Sequence, residues 1–319
     1  MLFRSVTKSN GESDTFNEFE LVVGSHNDDS FIFSGDGGVV TGAGGVDTFV
    51  GREFESGLDT IDYQVESSYG GQQAVLVNLS NQAFQFTPTF NLGGNLARDS
   101  YGDIDILNFV DVVRGTIWND IFVAGELSIF EGNAGNDTYW LNGGGDNAIE
   151  KANAGIDKIY TSASMTIPNF IENITLLSGA SWVVGNGSNN TIKGNSAANY
   201  IVGKLGVDTL TGGSGKDRFV FDTKPAFSAR DYITDYSTSN DQFTLDRSAF
   251  TKIGAASKLA ASAFYTGSNA HDASDRIIYN RATGAVYYDP DGTGNAAKIH
   301  FATLNNKAAM TYLDFDIVA

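Results

Sequence analysis

A nine-residue period limits this chain to very few folds. Residues 185–193 read GNGSNNTIK, 194–202 GNSAANYIV, 203–211 GKLGVDTLT and 212–220 GGSGKDRFV, four units that abut without a gap. Position 1 is glycine each time (Gly185, Gly194, Gly203, Gly212). Position 6 is Asn190, Asn199, Asp208 and Asp217, and position 8 is Ile192, Ile201, Leu210 and Phe219. The same register runs through 24–32, 33–41 and 42–50, with Asp29 and Asp47 at position 6. It returns at 115–123 and 132–140 with Asp120 and Asp137, where a spacer of eight residues shifts the register by one.

Each unit has a physical reading. Glycines at positions 1, 2 and 4 admit positive φ, which a tight turn requires. In the best-preserved units the turn glycines are Gly42, Gly44 and Gly45; Gly132 and Gly135; Gly203 and Gly206; and Gly212, Gly213 and Gly215. Positions 7–9 suit a short strand, with position 8 pointing inward. Two units make one coil of a flattened solenoid, so units two apart stack and their turns face each other. Turn carbonyls and the position-6 carboxylate then offer six or more oxygens, the ligand set calcium prefers. Several Ca2+ ions are the expected cofactor. Asp29 and Asp47 form the strongest N-terminal pair. Asp208 stacks on Asn190 and Asp217 on Asn199, which weakens those sites because an amide brings no charge. Asp120 and Asp137 require the slip to be a local bulge.

The units resemble the RTX, or hemolysin-type, calcium-binding repeat G-G-x-G-x-D-x-U-x, which forms a parallel β-roll. GGSGKDRFV fits at every defined position, while GAGGVDTFV, GKLGVDTLT and GNAGNDTYW each miss one glycine. The stretch GGSGKD is not a phosphate loop, because Asp217 follows Lys216 where Ser or Thr is required. The expected fold is all-β: parallel β-roll or β-solenoid blocks with strand-rich spacers and a C-terminal β-rich cap. The corresponding divisions are 1–50 (partial spacer and first block), 51–114 (spacer), 115–149 (second block), 150–184 (spacer), 185–221 (third block) and 222–319 (cap and export signal).

The spacers are β-branched and alternating, as in AVLVNLS and LNFVDVVRG. Residues 11–32 match 102–123 at an offset of 91: Gly11/Gly102, Asp14/Asp105, Asn17/Asn108, Val22/Val113, Gly24/Gly115, Asp29/Asp120 and Phe31/Phe122 are identical. This suggests that the chain enters its module partway. Asp103 and Asp105 read as a solvated surface pair. QAFQFTPTF (82–90) reads as a half-buried strand.

After Phe221 the repeats stop. Residues 229–246 read as two strands around a polar turn, 248–264 as short helical turns, and 276–304 as three strands. Such a segment can cap a solenoid. Asp235 and Asp241 are candidates to close a last calcium site beneath it. DPDGTG (289–294) reads as a β-turn, because its glycine is misplaced for an EF-hand loop. The ending TYLDFDIVA resembles the uncleaved C-terminal signal of type I secretion substrates. The resemblance therefore implies export by the type I secretion apparatus and an extracellular location.

Composition narrows the partners. Asp and Glu total 38 against 20 Lys and Arg, a net charge of −18, which disfavours nucleic acid. Cysteine is absent, so there are no disulfides or thiolate sites. No apolar run of about 18 residues occurs, so no membrane span is expected. No zinc-protease, nucleophile-elbow or independent carboxylate-dyad pattern is found, and the chain reads as non-catalytic. The leading function is a secreted calcium-binding protein whose folding is triggered by extracellular Ca2+. The alternatives are a calcium-dependent self-assembling surface layer, sheath or filament, and an adhesin or carbohydrate-binding module. Self-association through open strand edges is a candidate partner contact.

Overall fold

The structure is a computed structural model that describes residues 21–33, 37–51, 57–143, 145–226, 228–255 and 257–319. Gly11, Asp14 and Asn17 lie outside the described residues. The chain packs as two compact units, 1–160 and 161–319. Both are parallel β-rolls, each with two sheets facing one another across a core of stacked side chains.

In the first unit one sheet runs Val22–Val23, Gly37–Thr41, Leu58–Asp62, Val112–Arg114, Ile129–Glu131 and Asn147–Ile149, all parallel. The opposite sheet runs Ser30–Ile32, Thr48–Val50, Ile104–Asn108, Leu96–Arg98, Leu76–Asn78, Ile121–Val123 and Thr138–Leu141. Only Leu96–Arg98 in that series is antiparallel to its neighbours. Strands from 51–114 therefore take places in the coil stack, although that stretch lacks the period. What it lacks is the glycine turn, not the strand.

The second unit stacks Met165–Thr166, Trp182–Val184, Tyr200–Val202, Arg218–Phe221, Gln242–Asp246 and Phe315–Val318 in parallel on one side. Asn173–Leu176, Thr191–Lys193, Thr209–Thr211, Asp231–Ile233 and Ile299–Leu304 stack on the other. Ile277–Asn280, Ala285–Tyr288 and Ile299–Leu304 form an antiparallel meander that extends this second sheet. Short Ser257–Lys258 pairs antiparallel with the last strand. Among the described residues, 248–264 form turns, the short strand Ser257–Lys258 and one 3-10 turn, Ala261–Ala263, so one short helical turn forms in this stretch. Gly254 at φ 111° cannot continue a helix, and Phe250 is drawn under the meander against Tyr288 and Phe301.

Strands of three residues place one side chain each in the core. Phe31 lies on Phe49 with ring centroids 5.2 Å apart, and Phe122 lies on Tyr139 at 5.3 Å. In the second unit Ile201, Phe219, Phe243 and Phe315 form a continuous column, all fully buried. Each such side chain contributes roughly 1.5–3 kcal/mol. The column is only as good as its register, because a one-residue slip would turn every rung outward.

The segment 82–90 forms a two-stranded hairpin, Phe84–Thr87 with Phe90–Leu92, whose rings are half-buried. Phe84 packs on Phe86 at 5.1 Å and on Trp140 at 5.0 Å, and Trp140 stacks on Tyr160 at 4.2 Å. No helix among the described residues is long and apolar enough to cross a membrane.

Candidate metal centre

The turns between strands hold the chain's carboxylates in a fixed pattern. At position 6, each backbone N–H donates to the side chain of the equivalent residue one coil later. Asp29 N–H donates to Asp47 Oδ1 at 2.8 Å, across 18 residues. Asp120 donates to Asp137 at 2.7 Å, Asn190 to Asp208 at 2.7 Å and Asn199 to Asp217 at 2.8 Å. The Asp120 rung spans 17 residues, so the slip is absorbed within one coil.

The ladder continues past the glycine repeats. Asp47 donates to Asp105 across 58 residues, Asp137 to Asp157 across 20, Asp208 to Asp231 across 23 and Asp217 to Asp241 across 24. Asp105, Asp157 and Asp231 are thus rung residues that the nine-residue period does not reveal. They share a shorter signal, Asp-x-apolar, which survives when turn length and glycines vary. Asp103 is exposed as expected, but Asp105 is buried, accepting from Asp47 N–H and from the Tyr63 hydroxyl at 2.9 Å. The solvated-pair expectation fails there because Asp105 precedes a core residue, Leu107, on a strand paired with Thr48–Val50.

The second carboxylate oxygen is the informative one. Oδ2 of Asp47, Asp137 and Asp217 is buried with no hydrogen-bond partner. In Asp29 and Asp120 it accepts from the turn's own amide, Ser25 or Thr116, at 2.6 Å. The Asp208 and Asp231 carboxylates face one another. At Asn190 and Asn199 the side-chain amide donates back to the carbonyls of Ile171 at 3.0 Å and Ala180 at 3.4 Å. An amide can thus meet the local carbonyls with its own hydrogens, whereas a carboxylate in the same place has nothing to donate.

The first glycine of each turn leaves space for these oxygens. A methyl group built on Gly42 would lie 1.7 Å from Asp47 Oδ2, one on Gly115 2.3 Å from Asp120 Oδ2, and one on Gly212 2.4 Å from Asp217 Oδ2. Beside Gly24 the same space is walled by Gly42 O at 2.5 Å and Asp29 Oδ2 at 2.7 Å. Position 1 therefore requires glycine for room rather than for positive φ. Position 4 requires it for φ: Gly45, Gly135, Gly206 and Gly215 lie between 106° and 127°. At position 2, Ala43, Asn133 and Lys204 hold φ of 73–74° where Gly213 holds 92°, so those units carry strain of roughly 1–2 kcal/mol each. Gly44 packs against the Tyr101 ring, and Gly132 and Gly203 border carboxylates of the following turn. Asp235 accepts the Gly212 and Gly213 amides at 2.9 and 2.8 Å, and Asp241 accepts Ser237 N–H at 2.8 Å, so both close the last turn.

Carboxylates in this setting resist ionisation. Burial pushes Asp47 and Asp120 up to about 7, Asp217 to about 6 and Asp105 to about 8 from an ordinary 3.8. Burial, and then mutual repulsion, raises Asp231 beside Asp208. Without metal, the folded chain holds protons that the unfolded chain has released. Stability of the metal-free protein is therefore expected to fall as pH rises from about 4 to about 7. Thermal unfolding in chelator at pH 5 and 7.5 checks this, with the higher midpoint expected at pH 5.

A second expected outcome concerns the cradle. Gly42→Ala forces its methyl onto Asp47, and overpacking of this kind is expected to cost about 1–3 kcal/mol. Gly38→Ala, whose methyl would meet only Phe33 at 3.6 Å, should be near neutral. Denaturant midpoints of the two variants compare them directly.

Paired buried carboxylates, open oxygen-lined spaces and parallel coils define a cation-binding β-roll. The RTX calcium-binding nonapeptide repeat is matched in four copies, over residues 128–148, 177–210 and 184–219. These stretches of the chain therefore carry RTX repeats of the calcium-binding kind. Over 92 residues it is also 36% identical to the endo-1,3-1,4-beta-glycanase ExsH of Rhizobium meliloti (strain 1021), a stretch covering 28% of this chain and 20% of that protein. The chain thus spans a small part of that relative's length, and the likeness does not establish catalysis.

Proposed function

We propose that this chain is a secreted, non-catalytic calcium-binding roll whose folding is completed by extracellular Ca2+ after export through a type I apparatus. The observation that carries the reading is the set of buried Oδ2 atoms of Asp47, Asp137 and Asp217 without hydrogen-bond partners. Buried carboxylates of this kind are stable only when protonated or paired with a cation. Asp47, Asp120, Asp137, Asp208 and Asp217 are the residues that would hold calcium, with Asp29 and turn carbonyls beside them. Asn190 and Asn199 border the second-unit sites but already use their amides on carbonyls, which supports weaker binding there. Calcium supplies the positive charge that these turns lack.

Extracellular calcium modules bind at roughly 10⁻⁴–10⁻³ M. The sites would thus stay unfilled in a calcium-poor cytosol and fill outside. Such a switch suits export of a loose chain, and in the formed roll the strand Phe315–Val318 is paired with Gln242–Asp246. Far-ultraviolet circular dichroism during a calcium titration at pH 7.5 tests the reading. A cooperative gain of β signal near millimolar Ca2+ is expected, and a chain equally structured in excess chelator would overturn it. Sedimentation in the same buffers addresses self-assembly: growth with calcium would favour the sheath or filament role.

One observation favours a second reading, a carbohydrate-binding surface. Phe86, Phe84, Trp140 and Tyr160 form a half-exposed aromatic run on the first unit. Aromatic faces of this type offer flat apolar surface with a polar rim. Affinity electrophoresis on β-glucan should show retardation that Trp140→Ala removes, and unretarded wild-type protein would eliminate this reading.

A further inference from the structure

Three carboxylates meet beside Gly132 in an arrangement the nonapeptide does not prescribe. Asp137 is the position-6 residue of its turn. Glu150 and Asp157 belong to the next turn, which departs from the repeat twice. Glu131 pairs with Ile149, so Glu150 stands in the coil where Gly132 stands one coil earlier. A glycine position is thus filled by a glutamate. The turn is also longer, with 20 residues from Asp137 to Asp157 where a regular rung takes 18.

The outcome is a convergence of oxygens. Carboxylate atoms of Asp137, Glu150 and Asp157 lie within 4.8 Å of one another, and all three residues are buried. The Tyr139 hydroxyl donates to Glu150 Oε1. A methyl group built on Gly132 would lie 2.1 Å from the Tyr139 hydroxyl, 2.2 Å from Glu150 Oε1 and 2.4 Å from Asp137 Oδ2. Three oxygens of different residues therefore border one small space that only glycine leaves open. Asp137, 1% exposed, directs into that space an Oδ2 with no hydrogen-bond partner.

We propose that Asp137, Glu150 and Asp157 form a dedicated three-carboxylate site for a hard divalent cation, calcium in the extracellular setting, distinct in composition from the repeat turns. The inference rests on the reading of Asp137 as a turn ligand and adds two ligands that no repeat supplies. Affinity for calcium rises with ligand charge, so this site is expected nearer about 10⁻⁷–10⁻⁵ M than the ~10⁻⁴–10⁻³ M of extracellular modules. It would fill first as calcium rises. Tyr139, hydrogen-bonded to a ligand, makes the site addressable by luminescence.

Terbium titration of the full chain, excited through tyrosine, tests this against calcium competition. Wild type should show one tight step with sensitised emission ahead of weaker steps. Glu150→Gln and Asp157→Asn keep size and hydrogen-bond acceptors, and each should weaken the tight step on the order of tenfold or more. Tyr139→Phe should dim the emission of that step. The Asp208→Asn, Asp217→Asn double variant should leave the tight step intact and remove weak ones. Circular dichroism in calcium verifies that each variant folds. A tight step unchanged in Glu150→Gln and Asp157→Asn overturns the proposal, as does emission undiminished in Tyr139→Phe. If the double variant still loses weak steps in that case, the roll reading survives. If no step is seen anywhere, both readings fall.

Discussion

Phe219→Ala is expected to destabilise the 161–319 unit by about 3–5 kcal/mol, the range for emptying a fully buried aromatic position. Phe219 is fully buried in register between Ile201 and Phe243, with the Phe243 ring centroid 6.4 Å away and Tyr236 at 6.1 Å. The neighbours are held by parallel strands above and below, so they cannot collapse into the gap without breaking backbone ladders. The loss should therefore lie at the upper end of the range. Equilibrium denaturation in calcium measures it. A loss under about 1 kcal/mol would mean that the column is not packed as described.

Asp217→Asn should change sign with conditions. Asn199, one coil earlier in the same stack, satisfies itself by donating to a carbonyl 19 residues back. At position 217 an amide gains the same option and removes a buried carboxylate. In chelator at neutral pH the variant should be more stable than wild type, by about 1–3 kcal/mol, the usual penalty for a buried group left unsatisfied. With calcium at roughly ten times Kd, the wild type gains about 1.4 kcal/mol at a site that the variant binds poorly. The midpoints of the two proteins should therefore diverge in chelator and converge, or cross, in calcium. Parallel shifts under both conditions would show that Asp217 does not face a cation.

The glycine period made the coil, the strand positions and the rungs at Asp29, Asp47, Asp120, Asp137, Asp208 and Asp217 legible, because one turn geometry repeats with one residue pattern. It hid the coils whose turns are longer. Asp105 lies 58 residues from its neighbour on the ladder because an antiparallel strand, Leu96–Arg98, and a hairpin are inserted between coils. Glu150 was hidden for another reason. A glutamate in a glycine place looks like the end of the repeat, yet register makes it a wall of the next cradle. The role of the first glycine also changed. Sequence suggests freedom of φ, whereas the structure requires space for a carboxylate. At 248–264 one short helical turn forms, Ala261–Ala263, while burial of Phe250 and the positive φ of Gly254 keep the rest of the stretch in turns and a short strand.

In the proposed function, calcium completes turns which the chain alone leaves with buried carboxylate oxygens lacking a partner. Four such sites at tenfold Kd would add about 6 kcal/mol, comparable to the whole stability of many domains. Scanning calorimetry at pH 7.5, with Ca2+, with Mg2+ at equal ionic strength, and with chelator, measures this most directly. The midpoint in calcium is expected to exceed any transition seen in chelator by at least roughly 10–20 °C, with magnesium close to chelator. Coincident transitions in calcium and chelator would contradict it.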